Sequence, residues 1–201
     1  MHVFHPLEDG DVRLVPLARD HADPLREAAA DGALWDLWFT GVPRPEDHDD
    51  WLATTLAGRD DGRWIPFAVQ VGRRIVGTTR YYDLNPDVPR VAIGYTWYAA
   101  SAQRTRVNTT VKRLLLRHAF EVWNVATVQL HTDRFNTRSQ RAIEGIGARY
   151  EGTLRSHQLR RDGTVRDTVC YGILRTEWPD IERHLTSRLA RHEPSSPSGT
   201  V

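Results

Sequence analysis

Apolar residues recur at two spacings along this chain, every second position in some stretches and every third or fourth in others. These two periods divide it into strands and helices. DVRLVPL (11–17) alternates and predicts a short first strand. ARDHADPLREAAADG follows, with Leu25 and Ala29 on one helical face, Asp20 as the expected N-cap and Gly32 as a stop. LWDLWFTGV (34–42) is short and aromatic. PRPEDHDDWLATTLAGRDDG sets Trp51, Leu52 and Leu56 at helical spacing and predicts a second helix. IPFAVQV (65–71), RIVGTTRYYDL (74–84) and RVAIGYTWYAA (90–100) read as three strands. The VGRR turn and NPDVP (85–89) join them, and connections this short make antiparallel neighbours.

A helix is predicted over roughly 107–123, with Val107, Val111, Leu114, Leu115, His118 and Val122 as its apolar stripe. ATVQLHTD (126–133) is a strand and NTRSQRAIEGIGA (136–148) a short helix ended by Gly147. RYEGTLRSHQLRR (149–161) and RDTVCYGILR (166–175) close as a hairpin about Asp162-Gly163. The expected architecture is one α/β domain over 1–180 with a mixed, mostly antiparallel sheet of about seven strands flanked by helices. A helical extension (181–192) and a polar, proline-rich tail (193–201) predicted to be disordered complete the chain.

Composition narrows the function classes. The 201 residues are 40% hydrophobic and 26% charged with a net charge of +1, enough to bury one core without disulfides. A near-neutral balance argues against a dedicated nucleic-acid binder. Cys170 stands alone, which suits a reducing compartment, and no apolar run approaches the ~20 residues that span a bilayer. The N-terminus lacks a secretory pattern, so a cytoplasmic location without membrane attachment is expected. The histidines show no zinc spacing, and EDHDD (46–50) reads as a solvated helix start, so no metal is expected.

Candidate chemistry concentrates where the fourth of these seven strands runs into the 107–123 helix. A helix N-terminus offers unpaired N–H groups and the positive end of a dipole, a ready site for pyrophosphate. Gln103, Arg104, Thr105 and Arg106 add donors and charge there, and Asn108 or Thr109 is placed to cap the first turn. Arg104, Arg106, Lys112, Arg113 and Arg117 make a positive patch, and Lys112 is the only lysine in the chain. The patch lacks the interleaved aromatics of a nucleic-acid surface.

The order of elements over roughly 7–180 resembles the GNAT superfamily of acyl-CoA-dependent N-acyltransferases. That family's signature loop, Gln/Arg-x-x-Gly-x-Gly/Ala, stands here as Gln103-Arg104-Thr105-Arg106-Val107-Asn108, with Arg106 and Asn108 at the two glycine-type positions. NTRSQRAIEGIGA is similar to the second motif of the RimJ/RimL-type branch, with Asn136, Ser139, Ile143, Glu144 and Gly147 in register. EGTLR (151–155) and DGTVRDTVCYGIL (162–174) resemble that branch's closing hairpin.

The resemblance implies a GNAT fold whose fourth and fifth strands splay apart, with pantetheine as a pseudo-strand in the gap. Acetyl-CoA is the implied co-substrate, an amine on a protein or a small molecule the implied acceptor, and a homodimer an allowed assembly. Trp97 and Tyr98 would line the cofactor cleft, Gln103, Arg104, Thr105, Arg106, Val107, Asn108 and Thr109 would hold the pyrophosphate, and Asn136 would meet pantetheine. Ser139 falls where the family places a hydroxyl that protonates the departing thiolate. A backbone N–H of the fourth strand would polarise the thioester oxygen. Trp35 and Trp38 would wall the acceptor pocket, with one of Tyr81 and Tyr82 facing it; Tyr81 is taken as that residue. The glutamate that serves RimL-like members as base falls at Gln158, which cannot take a proton, so the base stays unassigned. His157 and Glu151 would lie on the opposite face from Gln158 in a regular strand. Two alternatives stay open, another short acyl donor such as succinyl-CoA and a non-catalytic acyl-CoA sensor.

Overall fold

The computed structural model describes residues 6–191. Eight strands form one sheet: β1 (Leu7–Asp9), β2 (Val12–Pro16), β3 (Trp64–Val71), β4 (Arg74–Asn85), β5 (Arg90–Tyr98), β6 (Thr127–Asp133), β7 (Arg149–Leu159) and β8 (Val165–Leu174). Their spatial order is β1-β2-β3-β4-β5-β6-β8-β7. Every neighbouring pair is antiparallel except β5 with β6. The strand beyond the expected seven is β1, a three-residue piece too short to show alternation; it folds back on β2 through a turn at Gly10.

Helices α1 (Ala22–Ala30), α2 (His48–Asp60), α3 (Val107–Arg117), α4 (Thr137–Glu144) and α5 (Trp178–Ala190) flank the sheet. Alternation sorts the strand residues between two layers. Val128 and Leu130 of β6, Tyr171 and Ile173 of β8 and Val91 and Ile93 of β5 enter a core closed by α3 and α5. On the other face Ala68 meets Leu25 of α1 and Leu52 and Leu56 of α2. The predicted stripe of the 107–123 helix holds through Leu115; a π-helical turn over His118–Val122 then rotates the register, and Val122 is 66% exposed.

Asp20 does not cap α1. It lies in a 3-10 turn (Arg19–His21), and the Ala18 amide donates to His21 Nδ1 at 3.1 Å instead. Helix α5 directs Trp178, Ile181 and Leu185 into the main core. The tail over 193–201 lies outside the described residues.

Candidate active site

The sheet divides in its middle. β5 and β6 are in register only from Arg90–Thr127 to Ile93–Leu130. Beyond that point β5 continues with β4 as far as Tyr98, and β6 continues with β8 as far as Asp133. The two strands therefore leave a wedge whose facing backbone groups have no ladder between them.

At the wedge apex β5 is bulged. Thr78 pairs with Trp97 and Arg80 with Gly94, so Tyr95 and Thr96 together oppose Thr79. Tyr95 takes φ +51°, a left-handed conformation that a bulky residue adopts only when its surroundings hold it there. Contacts on both faces supply that restraint. On the α3 side Thr96 Oγ1 lies 2.7 Å from Thr79 Oγ1 and accepts from Lys112 Nζ at 2.9 Å. On the other side the Arg80 guanidinium lies 3.4 Å from the Tyr95 ring centroid and 4.0 Å from that of Trp64, with Tyr82 edge-on to Tyr95 at 5.2 Å. Burial lowers Lys112 to about 7 and Arg80 to about 10.

The loop after β5 leads to an uncapped helix. Gln103 Nε2 donates to Tyr98 O at 2.6 Å and Thr105 Oγ1 to Ala102 O at 2.7 Å, while Arg104 takes the left-handed conformation, φ +62°. Val107 N donates to Thr105 Oγ1 at 3.3 Å, but Arg106 at the N-cap position has no acceptor to offer the first turn. Across the wedge, Arg138 of α4 donates to Gln103 Oε1. Asn136 caps α4, its Oδ1 accepting from Ser139 N at 3.0 Å, and the Ser139 hydroxyl has no hydrogen-bond partner among the described residues.

The face opposite α3 is walled by the α1–α2 connection and the β7–β8 hairpin. Trp38 packs on Phe135 with ring centroids 5.3 Å apart, and Arg160 lies over Trp38 at 4.8 Å. Arg160 Nε is fixed by the buried Asp133 at 2.7 Å. Arg161 donates to Val42 O and Trp35 O, both at 2.6 Å, and so ties the hairpin to the connection. Inside this wall His131 Nδ1 lies 3.0 Å from Tyr82 Oη.

A family model described as an acetyltransferase (GNAT) domain matches residues 11–149. The chain belongs to the GNAT acetyltransferase family. A GCN5-related N-acetyltransferase from Brucella melitensis superposes with TM-score 0.83 at 25% identity, covering 98% of this chain and 90% of its own. A candidate acetyltransferase from T. thermophilus gives TM-score 0.83 at 31% identity over 94% of this chain and 100% of its own. Mycobacterium smegmatis RimJ, solved with CoA-disulfide, shares the fold with TM-score 0.76 at 22% identity over 92% of this chain and 93% of its own. No curated protein matches the chain in sequence.

Within this GNAT domain several expected site residues stand elsewhere. Tyr81 is fully buried on the α3 side and donates to Leu115 O at 2.6 Å; its neighbour Tyr82 faces the walled side. Tyr98 is in the core beneath α3, and Trp97 packs towards α2 with Trp51 at 6.1 Å, so neither ring lines the wedge and only their backbones border it. Arg106 turns away to pair with Asp11. The positive patch is largely neutralised: Arg113 bonds Asp9 and Glu182, Arg117 bonds Glu182, and Lys112 is buried. Arg104 alone of the five is exposed without a side-chain partner among the described residues.

Trp35, Trp38, Gln103, Thr105, Asn136 and Ser139 are grouped on the wedge, its loop or its wall, whereas Val107, Asn108 and Thr109 form the first turn of α3, with Val107 and Thr109 buried and neither Asn108 nor Thr109 acting as its cap. Gln158 is exposed and pairs with Arg166. The parity argument for its neighbours fails because β7 is irregular between Leu154 and Gln158, with Ser156 at φ +50°. His157 thereby reaches Thr168 Oγ1 at 3.1 Å. Cys170 is half-buried on the walled face in register with His131.

Sequence reading took Tyr81 in place of Tyr82 for the walled side and missed Arg80, His131, Arg138 and Phe135. Only His131 carried a local signal, since Val128 and Leu130 inward imply His131 outward. Among the described residues no helix is long and apolar enough to cross a membrane, and no group of three or more His, Cys, Asp or Glu could hold a metal ion.

Proposed function

We propose that this protein transfers an acetyl group from acetyl-CoA to an amine by direct attack in a ternary complex. The observation that carries the reading is the wedge itself. An open β5 edge with a restrained bulge at its apex leads through a left-handed Arg104 to an uncapped helix N-terminus. A pantetheine arm is a chain of amides that can pair with such an edge, and a pyrophosphate suits free first-turn N–H groups beside Arg104 and Gln103. Arg104 makes the loop's left-handed turn, while Arg106, at the first glycine-type position, takes φ −65° and Asn108, at the second, is helical, so neither conformation requires a glycine.

Positioning and charge stabilisation do most of the work in such a transfer. Backbone N–H groups of the bulge polarise the thioester carbonyl, and the contacts of Arg80 and Lys112 on either face keep them aimed. Ser139 Oγ–H, free of other partners among the described residues, protonates the thiolate as it leaves. Trp38 and the Arg160–Asp133 pair wall off the acceptor side.

Thermal-shift titration with CoA, acetyl-CoA and succinyl-CoA tests this. A ligand bound only by the folded state at 100 times Kd adds about 2.7 kcal/mol. Acetyl-CoA should shift the transition at least as much as succinyl-CoA. Ser139→Ala should keep that shift while slowing thiol release. No shift at millimolar ligand would end the acyltransferase reading.

A further inference from the structure

We propose that the His131 imidazole takes the proton from the attacking nucleophile through Nε2, with Tyr82 as its positioning residue. The inference rests on the acyltransferase reading above and supplies the base that Gln158 cannot be.

Position comes first. His131 is the first β6 residue beyond the last β5–β6 register pair, Ile93–Leu130, and so stands at the apex where the wedge opens. Leu130 points into the core under α3, which turns His131 to the walled, acceptor side, the side of Tyr82 and Tyr95. There it is half-buried.

Its orientation is built by the neighbouring strands. Tyr82 belongs to β4, two strands from β6, and its ring reaches over β5 at Gly94. A Cβ on Gly94 would come within 2.9 Å of Tyr82 Cε1, so the crossing depends on the missing side chain. The Tyr82 hydroxyl then meets Nδ1 at 3.0 Å, while Nε2 has no hydrogen-bond partner among the described residues. With Nδ1–H donated to Tyr82 Oη, the lone pair sits on Nε2, and the imidazolium formed on proton uptake keeps the same bond.

The charged surroundings favour the neutral ring. Arg166 of β8, Arg90 of β5 and His157 of β7 face it with positive or potentially positive groups, against Asp83 of β4; Cys170 of β8 is its register partner. Burial first, then Arg166, hold the imidazole below its ordinary pKa. At neutral pH it therefore has the lone pair that a base requires.

In the transfer, the amine nitrogen bonds to the thioester carbonyl carbon and the C–S bond breaks. One amine proton passes to His131 Nε2, and the thiolate takes a proton from Ser139 Oγ. His131 then returns its proton through solvent to Ser139, so the products are an amide and free thiol.

The test uses the full chain with acetyl-CoA and water as the nucleophile, since water does not titrate between pH 5 and 9. Thiol release should fall as pH drops through the His131 transition. His131→Gln should lose about 100-fold, the scale of general-base assistance, together with that pH dependence. Tyr82→Phe should lose less and shift the profile.

Imidazole nitrogen NMR, with the His131 signal assigned from its absence in His131→Gln, gives a readout independent of turnover. The Nδ1–H tautomer is expected, mixed in Tyr82→Phe, with a signal that moves on adding acetyl-CoA. If acetyl-CoA binds but His131→Gln keeps the wild-type rate and pH profile, the proposal is overturned. Where thiol release is immeasurable, an Nε2–H tautomer or a signal unmoved by bound acetyl-CoA overturns it equally. Failure of acetyl-CoA to bind the wild type is a separate result, which removes the acyltransferase reading and this inference with it.

Discussion

Lys112 is the residue whose replacement should most change stability with pH. The residue is 6% exposed, and among the described residues no carboxylate pairs with it and it donates only to Thr96 Oγ1. Burial lowers it from 10.5 to about 7. At about 1.4 kcal/mol per unit, that drop sets a ceiling of about 5 kcal/mol on the cost of folding with this lysine. The sign follows from proton counts. Between pH 7 and 10.5 the unfolded chain binds a proton that the folded chain does not, so stability rises with pH across that window. Below the folded pKa both states are protonated and the full cost is present.

Lys112→Met keeps a similar volume, removes the charge and forfeits one hydrogen bond worth about 1 kcal/mol. The variant should therefore be more stable than wild type by about 4 kcal/mol at pH 6.5, shrinking to about 1 kcal/mol at pH 9. Urea unfolding of both proteins at pH 6.5, 7.5 and 9.0 measures this. Parallel pH dependence in the two, or a less stable variant at pH 6.5, would refute the reasoning.

Two further substitutions probe the frame of the site. A Cβ on Gly77 would lie 2.1 Å from the Trp97 carbonyl oxygen, a backbone atom with nowhere to go. Gly77→Ala should cost about 3 kcal/mol, roughly 6–12 °C in Tm, and an unchanged melt would show that β4 and β5 separate freely. Arg161→Met removes the two hydrogen bonds by which Arg161 ties the hairpin to the α1–α2 connection. Amides over 33–46 should then exchange about 10-fold faster while the global Tm moves little; equal exchange would mean the connection is held by its aromatics.

Legibility in the sequence followed range. β2 to β8 and helices α1 to α3 show in periodicity because burial on one face is a local pattern, while α5, expected only as an extension from 181, begins at Trp178. Whatever depended on distant partners did not show. Arg106 looked like a phosphate ligand until Asp11, 95 positions away, claimed it. Tyr81 and Tyr82 are adjacent with similar composition around them, and only the placement of α3 over one face tells them apart. Irregular backbone at Ser156 breaks the parity drawn for His157 against Gln158. Tyr82 and His131, 49 positions apart, meet because Gly94 leaves room, and nothing in either local stretch announces it.

The short register between β5 and β6 has a mechanical consequence. Strands β1 to β5 make one plate and β6 to β8 another, and among the described residues the strand register that joins them runs only from Arg90–Thr127 to Ile93–Leu130. The loop-side end of this seam is spanned by one side-chain bridge, Arg138 to Gln103, in place of backbone bonds. A ligand that pairs with the free β5 edge acts as a splint, stiffening the joint between the plates along the length that the protein leaves unsewn.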